Sequence, residues 1–134
     1  MDLLQTYSST ILSLGALAVL MFCQLLVADV VGLRSGHTPG AQIPSDHGSP
    51  LFRASRAVAN TNESIAIFVI AVLFCLLSGA SPTNTAYAAW GFVVARALYA
   101  ACYYLNWQIP RSVMFGLSLI ALAVLLVTGV SAWL

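Results

Sequence analysis

"FRASRAVANTNESIAIFVIAVLFCLLSGA", residues 52–80, places two arginines, two asparagines and a glutamate ahead of a run with no charge at all. The apolar part has the length and composition of a segment that crosses a bilayer, which needs about 20 mostly apolar residues. In the polar part, Arg53, Arg56, Asn60 and Glu63 are spaced three, four and three apart. At 3.6 residues per turn that spacing confines them to a stripe of about 80° on one helix face. Polarity gathered on one face of a membrane helix is directed at another helix or at a ligand, because lipid can satisfy neither charge nor hydrogen bond.

The rest of the chain has the same character. Of 134 residues, 60% are hydrophobic and 7% charged, with a mean hydropathy of +0.93, whereas soluble domains carry about 25% charged residues. Five arginines and no lysine against four acids leave a net charge of +1, which excludes the basic footprint of a nucleic-acid binder. Cys23, Cys75 and Cys102 lie inside apolar runs, and His37 and His47 have no ligand-like spacing, so neither a disulfide framework nor a metal site is expected.

Four crossing helices are predicted, at roughly 11–33, 55–79, 85–105 and 112–133, forming an all-α membrane domain over residues 1–134. The first run lacks a basic leader region and is read as a retained span. "RSGHTPGAQIPSDHGSP", residues 34–50, is a loop by composition. Ser81-Pro82 is expected to break the second helix, with Thr83 or Asn84 capping the third. Pro110 is expected to mark the start of the fourth. Arg34, Arg53, Arg56 and Arg111 then share one side, while the termini and the short second connection carry no Lys or Arg. The positive-inside rule puts that side in the cytoplasm and both termini opposite, in a bacterial inner membrane or a eukaryotic endoplasmic reticulum.

On the third predicted helix, Arg96, Tyr99 and Tyr103 share a face by the same three-then-four spacing. Glu63 and Arg96 lie at a similar depth, roughly 14 Å from the Arg-rich side, so a Glu63–Arg96 ion pair inside the bundle is expected. Asp29, near the end of the first helix, is a second candidate partner for Arg56 and Arg96. Such pairs serve equally as bundle glue or as parts of a pocket. Asn60, Tyr99, Tyr103, Arg111 and Ser112 all fall in the cytoplasmic half, an inventory suited to a small zwitterionic ligand with carboxylates and a thiol. Tyr103 and Tyr104 beside Trp107 also fit an interfacial aromatic belt.

"RASRAVANTNESIAIF", residues 53–68, resembles the second-helix signature R-A-x-x-N-x-x-E of the MAPEG family, membrane-associated proteins in eicosanoid and glutathione metabolism. Arg56, Ala57, Asn60 and Glu63 fill it. "ARALYAACYYLNWQIPRSVMFGLSL", residues 95–119, is similar to the later signature of the family, through Arg96, Tyr99, Tyr103, Arg111 and Ser112. The resemblance spans about residues 10–133. It implies a left-handed four-helix bundle, a homotrimer, and glutathione held between subunits near the cytoplasmic face. By position it implies that Asn60, Glu63, Tyr99, Tyr103 and, from the first helix, Arg34 bind glutathione. Arg56 and Arg96 would brace the pocket, and Arg111 or Ser112 would stabilise the thiolate during catalysis. Three positions depart from the pattern: Val58 for a frequent His, Ala59 for a frequent Arg, and Phe115 for a tyrosine.

The expected function is a glutathione-dependent transferase or peroxidase, in the detoxification range, acting on lipophilic electrophiles or hydroperoxides. The alternative in the same fold is a non-catalytic protein that binds membrane lipid or a partner. A small exporter with a titrating Glu63 is disfavoured, because Arg96 at equal depth would hold the acid ionised.

Overall fold

In the computed structural model, which describes residues 2–134, the described chain is helical. A single turn, α1 (Leu3–Thr6), precedes α2 (Ser8–Arg34), α3 (Pro50–Leu77), α4 (Pro82–Tyr104) and α5 (Gln108–Ser131). The helix ends follow from local chemistry. The Asp2 side chain caps α1, Ser49 caps α3 with Pro50 in its first turn, and Ser81 caps α4 with Pro82 in its first turn. Helices three and four of the structure therefore start earlier than the sequence suggested, and Ser81 rather than Thr83 or Asn84 is the cap. Pro110 lies within the first turn of α5, where a missing N–H leaves no helical bond unmade. Asn106 adopts φ 58° after α4, and the Trp107 N–H returns to the Cys102 carbonyl at 2.8 Å, so α4 and α5 join through three residues.

Of the four long helices, α2, α3 and α5 are long and apolar enough to cross a membrane. The segment 85–105, expected to be a fourth such span, falls in α4. With 23 residues it spans roughly 35 Å, but its polar groups lower its hydropathy. The reason is its place in the bundle. It packs against α2, α3 and α5, and the residues it exposes beyond its first turn, Tyr87, Gly91, Val94, Leu98, Ala101 and Leu105, form one narrow stripe. Its remaining faces carry Thr85, Arg96, Tyr99 and Tyr103 inward. By contrast α2 turns Leu12, Val19, Phe22, Leu26 and Val30 outward, as a lipid-facing helix does.

Packing relies on small residues and aromatic plates. Ala71, Ala88, Ala89 and Ala121 bring backbones together, and Phe68 stacks on Phe92 with ring centres 4.4 Å apart. At the far end the Tyr7 hydroxyl donates to the Ala80 carbonyl, tying α2 to the α3–α4 turn. The tightest approach is at Gly129 of α5, where a Cβ would stand 2.5 Å from Cδ1 of Phe74. Gly129→Ala should therefore lower stability by about 1–3 kcal/mol through displacement of the Phe74 ring. Gly15→Ala, with nothing within 4 Å, should be neutral or stabilising. Thermal unfolding in one detergent compares the two, and equal midpoints would contradict this packing.

Candidate functional site

The antiparallel run of helices brings the end of α2 and the starts of α3 and α5 to one end of the bundle, with Arg34, Arg53, Arg56 and Arg111. The segment 35–49 crosses this end. Arg53 Nη1 donates to the carbonyls of His47 at 2.7 Å and Gly48 at 2.9 Å, so this arginine of α3 ties the loop down. The Asp46 carboxylate accepts from the Gly48 N–H at 2.8 Å and tightens the same turn.

Beside the tied loop lies an open cleft of about 280 Å³, lined by Asn60 from α3, Tyr99 and Tyr103 from α4, and Arg111, Ser112 and Phe115 from α5. Ala57 makes the arrangement possible. Fully buried, it packs with Tyr99, Ala100 and Tyr103, so the two tyrosine rings settle against α3 where a larger side chain would hold them off. Tyr99 and Tyr103 meet edge to face at 5.2 Å. The Arg111 guanidinium lies 4.4 Å over the Tyr103 ring, and its Nη1 is buried without a hydrogen-bond partner. Asn60 Nδ2 donates to the Arg56 carbonyl at 2.8 Å, leaving its carbonyl oxygen as the acceptor available to a ligand. Ser112 Oγ donates to the Gln108 carbonyl at 3.2 Å and retains acceptor lone pairs. One cation with a free donor, one amide oxygen, one hydroxyl oxygen and two phenols can hold an anionic, hydrogen-bonding molecule.

Beneath the cleft Arg96 is 1% exposed. Its guanidinium carbon lies 5.3 Å from the Tyr99 ring centre, 5.4 Å from Phe115 and 5.5 Å from Phe92, and neither Nε nor Nη1 has a partner. The ion pair expected between Arg96 and Glu63 is not formed within the described chain. Glu63 shares the axial depth of Arg96, but α3 is rotated so that Asn60, Thr61 and Ser64 point inward and Glu63 lies exposed on its flank. Asp29 likewise makes no pair with Arg56 or Arg96. It is exposed on α2 and lines a different cleft with Gly32, Leu33 and His37. Arg34 is exposed at the end of α2 and does not line the tyrosine cleft. Arg56 enters through its backbone carbonyl alone.

Two residues join the site that the spacing gave no reason to select. Phe115 lines the cleft and covers Arg96. The His47 ring stacks on Tyr103 at 6.4 Å and meets Phe52 edge-on at 5.0 Å. His47 belongs to an irregular loop, where helical periodicity carries no information; its only signal was a titratable ring in a segment bounded by Pro44 and Gly48.

The MAPEG family profile matches residues 10–131, nearly the whole chain, and the protein belongs to that family. Among curated proteins none matches it.

Arg53→Met removes both loop contacts, so limited proteolysis within residues 35–49 should accelerate, roughly tenfold if about 1.5 kcal/mol is lost, while Arg34→Met leaves the rate unchanged. Arg96→Met deletes an unpaired buried charge while keeping much of its volume. It should leave unfolding stability equal or raise it by about 1–3 kcal/mol, whereas Arg96→Ala, which also empties the ring cage, should lower it. Strong destabilisation by Arg96→Met in thermal unfolding would show that the charge is paired after all.

Proposed function

We infer that the tyrosine cleft is a binding site for glutathione, and that the protein is a membrane-embedded transferase or peroxidase acting on lipophilic electrophiles or hydroperoxides. The observation that carries this reading is the convergence of Asn60, Tyr99, Tyr103, Arg111 and Ser112 on one cleft, with an unpartnered guanidinium nitrogen among them. The donor set suits the tripeptide: Arg111 for a carboxylate or thiolate, the Asn60 oxygen for an ammonium or amide N–H, and the Tyr99 and Tyr103 phenols for carbonyls. Glutathione would supply the nucleophilic sulfur. The fixed charge of Arg111 favours the ionised form of a thiol placed beside it, with Ser112 as the second candidate for that task. The outer surfaces of α4 and α5, with Leu98, Val113 and Leu117, are apolar and offer a route for a substrate dissolved in the bilayer.

The cleft, about 280 Å³ and open on one side, lies at the lower edge of the roughly 300–1,000 Å³ that drug-sized sites enclose. A neighbouring subunit of a homotrimer would supply the other wall. Glu63 and Arg34, exposed and outside the cleft lining, would act across that interface. The Arg-rich end would face the cytoplasm, where glutathione is abundant.

One observation favours a second reading. Phe115 presents an apolar ring in the cleft, and Ala59 supplies no charge on α3, so the site is greasier than its relatives' pattern implies. A non-catalytic protein that binds a lipid or a partner would suit that lining.

Equilibrium binding of glutathione to the detergent-purified protein separates the two. The wild type should bind at cytosolic concentrations, and Arg111→Ala should weaken binding about ten- to a hundredfold, the loss of one charge-assisted contact. A thiolate absorbance band should vanish in Arg111→Ala and persist in Ser112→Ala if Arg111 is the activating group. No binding by the wild type would overturn the enzymatic reading in favour of the lipid-binding one.

A further inference from the structure

Asp29 and His37, left without a role by the tyrosine cleft, lie together on the α2–α3 flank of the Arg-rich end. They line a cleft of about 370 Å³ with Ala28, Leu33, Ile43, Leu51 and Ser55 among its walls. The loop forms its roof. The His37 N–H returns to the Gly32 carbonyl at 3.0 Å, which folds residues 37–43 back over the last turn of α2. Asp29 is five residues short of Arg34, so it lies about 7.5 Å below the end of a helix long and apolar enough to cross a membrane. No cation pairs with it among the described residues, and no arginine lines the cleft. A carboxylate held at that level beside apolar walls is stabilised by a counter-charge and repels anions.

We propose that this cleft binds a lipophilic amine in its protonated form, with Asp29 accepting from the ammonium group and the apolar body lying along Leu33, Ile43 and Leu51. A primary ammonium has three donors, and the lining offers acceptors of suitable kind in the Asp29 carboxylate and the Ser55 hydroxyl oxygen. The walls exclude the other common amphiphiles. A fatty acid would place its carboxylate against Asp29. An ethanolamine headgroup would bring its phosphate beside the Asp29 carboxylate, in a cleft with no arginine or lysine to receive it. The site is separate from the tyrosine cleft and does not depend on glutathione.

The test is uptake of dodecylamine by the full chain in phosphatidylcholine nanodiscs, read by equilibrium dialysis against empty discs, with dodecanol and dodecanoate as comparison ligands. Saturable uptake of one amine per chain is expected, with dodecanol and dodecanoate no better than in empty discs. Asp29→Asn should weaken amine binding at least about tenfold, and Asp46→Asn, outside the cleft, should leave it unchanged. Leu51→Trp should also abolish binding by filling the cleft while Asp29 keeps its charge. The proposal is overturned if Asp29→Asn binds as well as the wild type, if dodecanol binds as tightly as the amine, or if phosphatidylethanolamine in the disc displaces the amine.

Discussion

A charge placed at the depth of Arg96 costs at least about 2.5–3.5 kcal/mol in a membrane, and how the chain meets that cost shapes its upper half. No carboxylate of the described chain lies within ion-pair distance of it; Glu63 acts on it only from further off. Instead the guanidinium is enclosed by the faces of Phe92, Tyr99 and Phe115, each 5.3–5.5 Å away. Cation–π contacts contribute from about 0.5 kcal/mol at exposed sites to about 2 kcal/mol when desolvated, so three of them are of the same order as the cost. They also fix geometry. Tyr99 holds Tyr103 edge-on, Tyr103 carries Arg111 over its face, and Phe115 draws the start of α5 against α4. The tyrosine cleft is the outer surface of this cage, so its walls are set from beneath by a cation that touches no ligand.

Periodicity made much of this legible. The three-then-four spacing of Arg96, Tyr99 and Tyr103 put them on one face, and the structure turns that face inward. Asn60 and Ser112, selected for depth and chemistry, arrive at the same cleft. What spacing could not supply was rotation. Residue counts along two helices predict whether two side chains share a level, as Glu63 and Arg96 do, yet they do not say where each helix is turned about its axis. An 80° stripe is wide enough to split, and on α3 it does: Asn60 is buried and Glu63 lies on the exposed flank. Average hydropathy separates α4 from the three apolar spans for a reason of packing. A helix packed against three others carries polar residues on its inward faces, and these lower its average.

The loop between α2 and α3 links the two clefts. Its first half folds over Asp29, and its second half, tied by Arg53, lays His47 against Tyr103. Neither contact is periodic, and neither could be read from a segment of Gly, Pro, Ser and His. One α3 arginine thus orders a segment that borders both sites. Membership of the MAPEG family gives the membrane setting and the range of functions, while the particular ligand rests on the chemistry of the cleft.

A density map of the protein in lipid nanodiscs with glutathione added bears most directly on the tyrosine cleft. The predicted result is ligand density against Arg111, Ser112 and the Asn60 oxygen, closed on its open side by a second copy of the chain. A cleft filled by an acyl chain, or one covered by the neighbouring copy with glutathione absent, would contradict it.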